Sequence, residues 1–138
     1  MAQPRLHHVS LASTDLARSV AFLERALQAQ QVERPPFRNP GAWVAAGDVS
    51  IHLNLSADGT FRRVRVIDSD DCHFAIRVDD FDVALDHLRS RGFRETSDLT
   101  DPDGMLVRRD GAAGFPQVFI MDPDGNVIEI NANGSGEI

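Results

Sequence analysis

The sequence predicts an α+β protein built from two βαβββ modules with curved mixed sheets, and three observations carry that expectation. Shifting the chain by 65 positions lays His8 to Leu27 over His73 to Gly92, with His8 on His73, Asp15 on Asp80 and Leu23 on Leu88. Both segments open with alternating polarity and then change to helical spacing. Each is followed by β-type runs whose last two members form a hairpin.

Leu6, Val9 and Leu11 alternate in the first strand, as Phe74, Ile76 and Val78 do in its counterpart. Helical spacing then takes over at Leu16, Val20, Leu23 and Leu27, and at Phe81, Ala84, Leu85 and Leu88. The helix starts are marked by Thr14-Asp15 and Asp79-Asp80, whose side-chain oxygens can accept from orphan N–H groups, and Gly92 is placed to stop the second helix. Strands follow over Gln31–Phe37, Ala42–Ala46 and Val49–Leu55 in the first half. The second half offers Phe93–Thr96, Met105–Arg109, Phe115–Met121 and Asn126–Asn131. Gly47-Asp48 closes one hairpin and Asp122-Pro123-Asp124-Gly125 the other. The aperiodic stretch from Ser56 to Asp71 reads as a connector. The expected organisation is one domain over residues 1–138, comprising module 1 (5–56), the connector (57–71) and module 2 (72–132).

Composition narrows the function. A chain of 138 residues with 42% hydrophobic and 25% charged residues is in the single-domain globular range. The net charge of -7 gives no electrostatic support for a nucleic-acid or anionic-membrane partner. No apolar run approaches a membrane span and the start lacks a secretory h-region, so the expected compartment is cytoplasmic. Lone Cys72 excludes an intramolecular disulfide or a cysteine cage and is expected to serve packing, so any metal must use imidazole and carboxylate.

Superposing the hairpins pairs His52 with Glu129. If the apolar alternates Val9, Leu11, Ile51, Leu53, Phe74, Ile76, Ile128 and Ile130 face the helices, the other face collects His8, Ser10, His52, Asn54, His73, Ala75 and Glu129. A single histidine on a strand is more often packed or solvated than a ligand. Here four metal-competent side chains occupy two repeat-related positions, and polar groups on a half-buried face without a shared task would be costly. Imidazole nitrogen and carboxylate oxygen suit zinc, nickel, cobalt, manganese or iron(II). His8, His52, His73 and Glu129 are therefore the candidate metal ligands. Neighbouring His7 is expected to face away from His8, and His87 to lie at the surface.

The segments LHHVSLASTDLARSVAFL, AWVAAGDVSIHLNL, CHFAIRVDD and VFIMDPDGNVIEI stand in the order found in the vicinal oxygen chelate superfamily. The chain resembles that family, which includes glyoxalase I, fosfomycin-modifying enzymes, extradiol dioxygenases, methylmalonyl-CoA epimerase and bleomycin-binding proteins. The resemblance covers nearly the whole chain, and DPDGNVIEI, ending in the metal-site glutamate, is its most specific motif. It implies the glyoxalase/bleomycin resistance/dioxygenase fold, with the two modules closing a half-barrel site, and ligand positions at His8, His52, His73 and Glu129. Glyoxalase I usually carries Glu, and epimerases Gln, where this chain has His52. Extradiol enzymes and fosfomycin transferases use only the positions of His8, His73 and Glu129. The transferases share a hydroxyl at Ser10 but place Tyr where Phe119 stands.

The implied activity is that of a metal-dependent lyase or isomerase of the glyoxalase type, acting on a small molecule with neighbouring oxygens. The alternatives are an iron(II) dioxygenase and a non-catalytic drug- or metabolite-binding protein. A metal with open positions acts as a Lewis acid toward such oxygens, and Glu129 or His52 is the candidate catalytic base. The expected substrate-contacting set is Ser10, Asn54, Trp43, Phe119 and Arg109. Phe37 and Phe115 are further wall candidates, and Arg62, Arg63, Arg65 and Arg108 further anion-binding candidates. The loop from Asp98 to Gly114 could act as a lid. Small relatives with one module pair imply a homodimer, each site taking His8 and His52 from one chain and His73 and Glu129 from its partner.

Overall fold

The computed structural model describes residues 2–62 and 64–134; Arg63 lies outside the described residues. The chain divides into two compact units, Met1–Thr60 and Phe61–Ile138. In the first, β1 (Val9–Ser13), α1 (Leu16–Leu27), β2 (Gln30–Val32), β3 (Gly41–Ala46) and β4 (Val49–Leu55) follow in order. They make a mixed sheet ordered β1-β4-β3-β2, with β1 parallel to β4 and the other pairs antiparallel.

Asp15 caps α1 by accepting from Arg18 N at 3.1 Å. One stripe of the helix, with Val20, Leu23 and Ala26, is buried on the side where α1 contacts β3 and β4. Ala42, Val44, Ala46, Ile51 and Leu53 are buried in those strands. Full burial of one such side chain as Leu23 contributes about 1.5–3 kcal/mol. Trp43, Ala45, His52 and Asn54 alternate with that set and stay half-buried, so the opposite face is open enough to carry function. The strand expected over Gln31–Phe37 keeps only three residues, Gln30–Val32. Pro35 and Pro36 explain the early stop, because neither offers an N–H to a ladder.

The second unit orders β5 (His73–Val78), α2 (Phe81–Ser90), β6 (Arg94–Glu95), β7 (Gly104–Arg108), β8 (Gln117–Met121) and β9 (Val127–Ala132). Its mixed sheet runs β5-β9-β8-β7-β6, with β5 parallel to β9. The module is thus βαββββ, a two-residue β6 being added to the repeat. Asp80 caps α2 through Val83 N at 3.1 Å, and Phe81, Leu85 and Leu88 form its buried stripe. The β8–β9 turn is tied by the Asp122 carboxylate, which accepts from Asp124 N, Asn126 N and Asn126 Nδ2 at 2.8–2.9 Å. Gly125 in that turn has φ +84, a conformation that a side chain would strain.

Here the sheet is covered on both faces. Val118, Ile120, Ile128 and Ile130 are buried on one, while Ile67 from the connector packs with Phe119, Met121 and Val127 on the other, flanked by Leu99 and Leu106. Ile67 N donates to Leu99 O at 2.9 Å, which fixes the connector there. The stretch from Asp98 to Gly114 is built around β7 and is anchored in the sheet at Leu106, Val107 and Arg108, so its first half is framework rather than lid. Cys72 precedes β5 and is exposed, which removes the packing role expected of it.

Candidate metal centre

In the first unit Ser10 faces His52 across the β1–β4 ladder, and Trp43 faces His52 across β3–β4. Cross-strand partners share a face, so Ser10, Trp43 and His52 belong together, with Asn54 two positions further along β4. His8 lies just before β1 rather than on it, and is exposed. It nevertheless reaches this face: its ring stacks on His52 at 3.9 Å and 16°, and His52 stacks on Trp43 at 4.0 Å and 6°. His52 is therefore sandwiched between an imidazole and an indole. Phe37 extends the wall, 6.0 Å from Trp43, with the Arg34 guanidinium 4.8 Å above its ring.

His7 does not turn away from His8. The two Nδ1 atoms lie 2.9 Å apart and share a hydrogen bond, because strand alternation starts only at Val9. Burial first, then the electrostatic influence of neighbouring His8, His7 and Arg34, hold His52 below the ordinary histidine pKa. Its neutral imidazole can ligate, accept a proton or stack. Asn54 Oδ1 accepts from Asn39 Nδ2 at 3.3 Å, whereas Ser10 is exposed.

In the second unit Ala75, Glu129 and Phe119 line up across β5, β9 and β8. Glu129 is only 5% exposed. Its Oε1 accepts from Gln117 Nε2 at 2.8 Å and from Asn131 Nδ2 at 2.9 Å, and its Oε2 lies 3.0 Å from His73 Nε2. Burial alone would raise the carboxyl pKa. The bonds from Asn131, Gln117 and His73 outweigh it and hold Glu129 below the ordinary glutamate value, so it is a buried carboxylate. The two amides are absent from the candidate set above. Their signal in the sequence is their even spacing from known positions, Asn131 two after Glu129 and Gln117 two before Phe119.

His73 Nδ1 lies 2.7 Å from the Asp71 carbonyl, which can only accept, so Nδ1 carries the proton. In the neutral ring Nε2 then presents a lone pair to a carboxylate oxygen. Two lone pairs at that distance repel unless a proton or another cation lies between them. A ligand imidazole whose second nitrogen donates to a backbone carbonyl is the usual metal-site arrangement, and the donor chemistry of this pair fits a divalent cation. Within either unit, among the described residues, no group of three or more His, Cys, Asp or Glu side chains converges. His8 and His52 form one pair and His73 and Glu129 another.

The remaining candidates divide. Phe119 is buried at 2% exposure, its ring edge-on to His73 at 5.5 Å, with the Arg108 guanidinium 5.6 Å above it. Arg109, one residue past β7, instead bonds Glu95 Oε1 at 3.3 Å. Arg62 pairs with Asp71 and donates to the Cys72 carbonyl, and Arg77 stacks over Phe115 at 4.8 Å. Arg65 is exposed, as expected of a solvated arginine, whereas His87 is half-buried rather than at the surface.

Residues 5–130 match the family model described as Glyoxalase/Bleomycin resistance protein/Dioxygenase superfamily. The chain belongs to that superfamily. Among curated relatives it is 27% identical to "Glyoxylase I 4" of Arabidopsis thaliana over 127 residues, covering 91% of this chain and 68% of that protein. It is also 27% identical to the glutathione transferase FosA of Serratia marcescens over 126 residues, covering 91% and 79%. The fold is shared with a glyoxalase family protein from Bacillus anthracis (TM-score 0.73, 18% identity, 96% of this chain and 98% of that one). It is shared too with a bleomycin-binding protein complexed with bleomycin (TM-score 0.70, 21% identity, 94% and 99%). A FosX variant from Listeria monocytogenes, complexed with Mn(II) and 1S,2S-dihydroxypropylphosphonic acid, has a TM-score of 0.67 at 14% identity over 94% and 92%. Superfamily members thus bind small molecules, and some use divalent metals. No described helix of this member is long and apolar enough to cross a membrane.

Proposed function

We propose that the protein is a divalent-metal-dependent enzyme of the glyoxalase type, acting on a small substrate with two neighbouring oxygens. The observation that carries this reading is the His73–Glu129 pair, a buried carboxylate facing an imidazole nitrogen whose protonation is set by the Asp71 carbonyl. His73, Glu129, His8 and His52, or three of them including Glu129, would hold the ion. A metal bound there would polarise the paired substrate oxygens and stabilise negative charge developing on them.

The chain's own groups then divide the work. Both oxygens of Glu129 are engaged, so it stays a fixed anion. Where His8, His73 and Glu129 hold the ion without His52, His52, neutral and stacked between rings, is the group able to take a proton at Nε2, where Ser50 Oγ lies 3.4 Å away. Ser10 and Asn54 supply polar contacts on the same face. Trp43 and Phe37 wall it with apolar surface. The assembly that goes with this reading is a homodimer, with His8 and His52 of one chain meeting His73 and Glu129 of the other.

Elemental analysis of protein purified without chelator tests the metal. Stoichiometric zinc, nickel, cobalt, manganese or iron is expected, and Glu129→Ala should lose it; unchanged content in that variant sinks the assignment. Screening metal-loaded protein against hemithioacetals and, anaerobically loaded with iron(II), against catechols separates the lyase from the dioxygenase. Mixing His8→Ala and Glu129→Ala chains under exchange tests the shared site, because only heterodimers with shared sites regain one intact centre.

The Phe37–Trp43–His52 wall favours a second reading, capture of a flat drug or metabolite without catalysis, to which the acidic net charge of -7 adds attraction for cations. A protein that is metal-free and gains no thermal stability from added divalent ions would support it.

A further inference from the structure

We propose that Gln117 and Asn131 are positioning residues that clamp Glu129 by Oε1 and leave Oε2 as the only oxygen turned toward His73. The functional consequence rests on the reading of Glu129 as a ligand; the clamp itself rests on geometry.

Gln117 and Asn131 are direct partners across the β8–β9 ladder, and Asn131 follows Glu129 by two positions, so all three side chains share one face. Both amides deliver an N–H to the same oxygen, at 2.8 and 2.9 Å. A carboxylate oxygen only accepts, so each side chain must present its NH2 group rather than its carbonyl. Asn131 shows that this demand prevails. It is 6% exposed, and its Oδ1 is buried with no hydrogen-bond partner among the described residues. A buried carbonyl is left unsatisfied while the NH2 of the same amide serves Glu129, so the carboxylate sets the amide's orientation. Two donors on Oε1 occupy the directions from which it accepts. Glu129 cannot then swing to offer both oxygens, or leave to carry a proton, without breaking both bonds. It acts as a one-oxygen ligand held in place, and proton transfer falls to another group.

Gln117→Met and Asn131→Leu remove the donors while keeping bulk. Two measurements follow: cobalt(II) titration with the visible spectrum of the bound ion, and the pH titration of the Glu129 carboxyl carbon by 13C NMR in metal-free protein. The expected result is about 10–100-fold weaker cobalt binding. A changed cobalt spectrum and a Glu129 midpoint displaced upward should accompany it. Folded variants with wild-type affinity, spectrum and midpoint overturn the proposal. Should the wild type take up no cobalt, the metal reading falls, and the carboxyl midpoint decides the clamp alone: displaced in the variants it stands, unmoved it fails. Asn131 is buried and its variant can fail to fold, whereas Gln117 is half-exposed, so Gln117→Met then decides by the same readouts.

Discussion

Ser10 and Trp43 flank His52 across the first sheet as Ala75 and Phe119 flank Glu129 across the second. The registers are equivalent, yet the central side chains are held by unlike forces. His52 is half-buried and fixed by ring stacking between His8 and Trp43, with one long hydrogen bond to Ser50. Glu129 is buried, and its carboxylate has partners at 2.8, 2.9 and 3.0 Å. Stacked rings slide at little cost, whereas a buried carboxylate that loses a donor meets a desolvation penalty. The repeat thus supplies one adjustable polar group and one fixed one. Under the proposed function, Glu129 would anchor and His52 would move a proton.

The flanking aromatics should show the contrast most strongly. Phe119 fills the core with Ile67, Met121 and Val127, and Phe119→Ala should cost about 3–5 kcal/mol in urea unfolding. Trp43 in the matching register is only half-buried, and Trp43→Ala should cost about 1 kcal/mol. Equal losses would mean that the first sheet buries its open face as fully as the second, and the comparison would break.

The hairpin turns come next. Asp122 is 2% exposed and satisfies two backbone N–H groups and the Asn126 amide, so Asp122→Ala should cost about 2 kcal/mol. Asp48 in the other turn is exposed, and Asp48→Ala should stay within about 0.5 kcal/mol. Thermal melts of the two variants side by side make the check.

Which parts of this were legible in the sequence follows from the range of the forces involved. Asp15 and Asp80 were readable as caps because a cap acts over three residues. Ser10, His52 and Asn54 were readable as one face because alternation is local to a strand. Alternation failed at His7 and His8, where there is no strand to impose it. The connector looked featureless because Ile67 finds Phe119, Met121 and Val127 only through tertiary packing. The Gln117–Glu129–Asn131 arrangement depends on the β8–β9 register, which a hairpin motif implies but single residues do not announce. Pro35 and Pro36 were visible signals that the apolar and polar pattern around them outweighed, wrongly.

The smallest expected effect separates the two central residues by pH. His52 is held below its ordinary value of 6.5 in the folded chain, so the unfolded chain binds its proton first. Stability from this group is therefore complete above the unfolded pKa and declines as pH falls through about 6.5 toward the folded value. Glu129 is also held below its ordinary value, 4.5 for a glutamate, so its contribution persists to lower pH and is lost only on acidification below about that value. The metal-free protein should then show two separate declines of melting temperature, one setting in as pH falls below about 6.5 and a second below about pH 4.5. His52→Phe, which keeps a ring between His8 and Trp43, should flatten the first and leave the second. Glu129→Gln should do the reverse. Melting curves from pH 3 to 8 decide the matter, and a His52→Phe protein that follows the wild type through the upper window would show that the stacked imidazole carries no proton-linked cost.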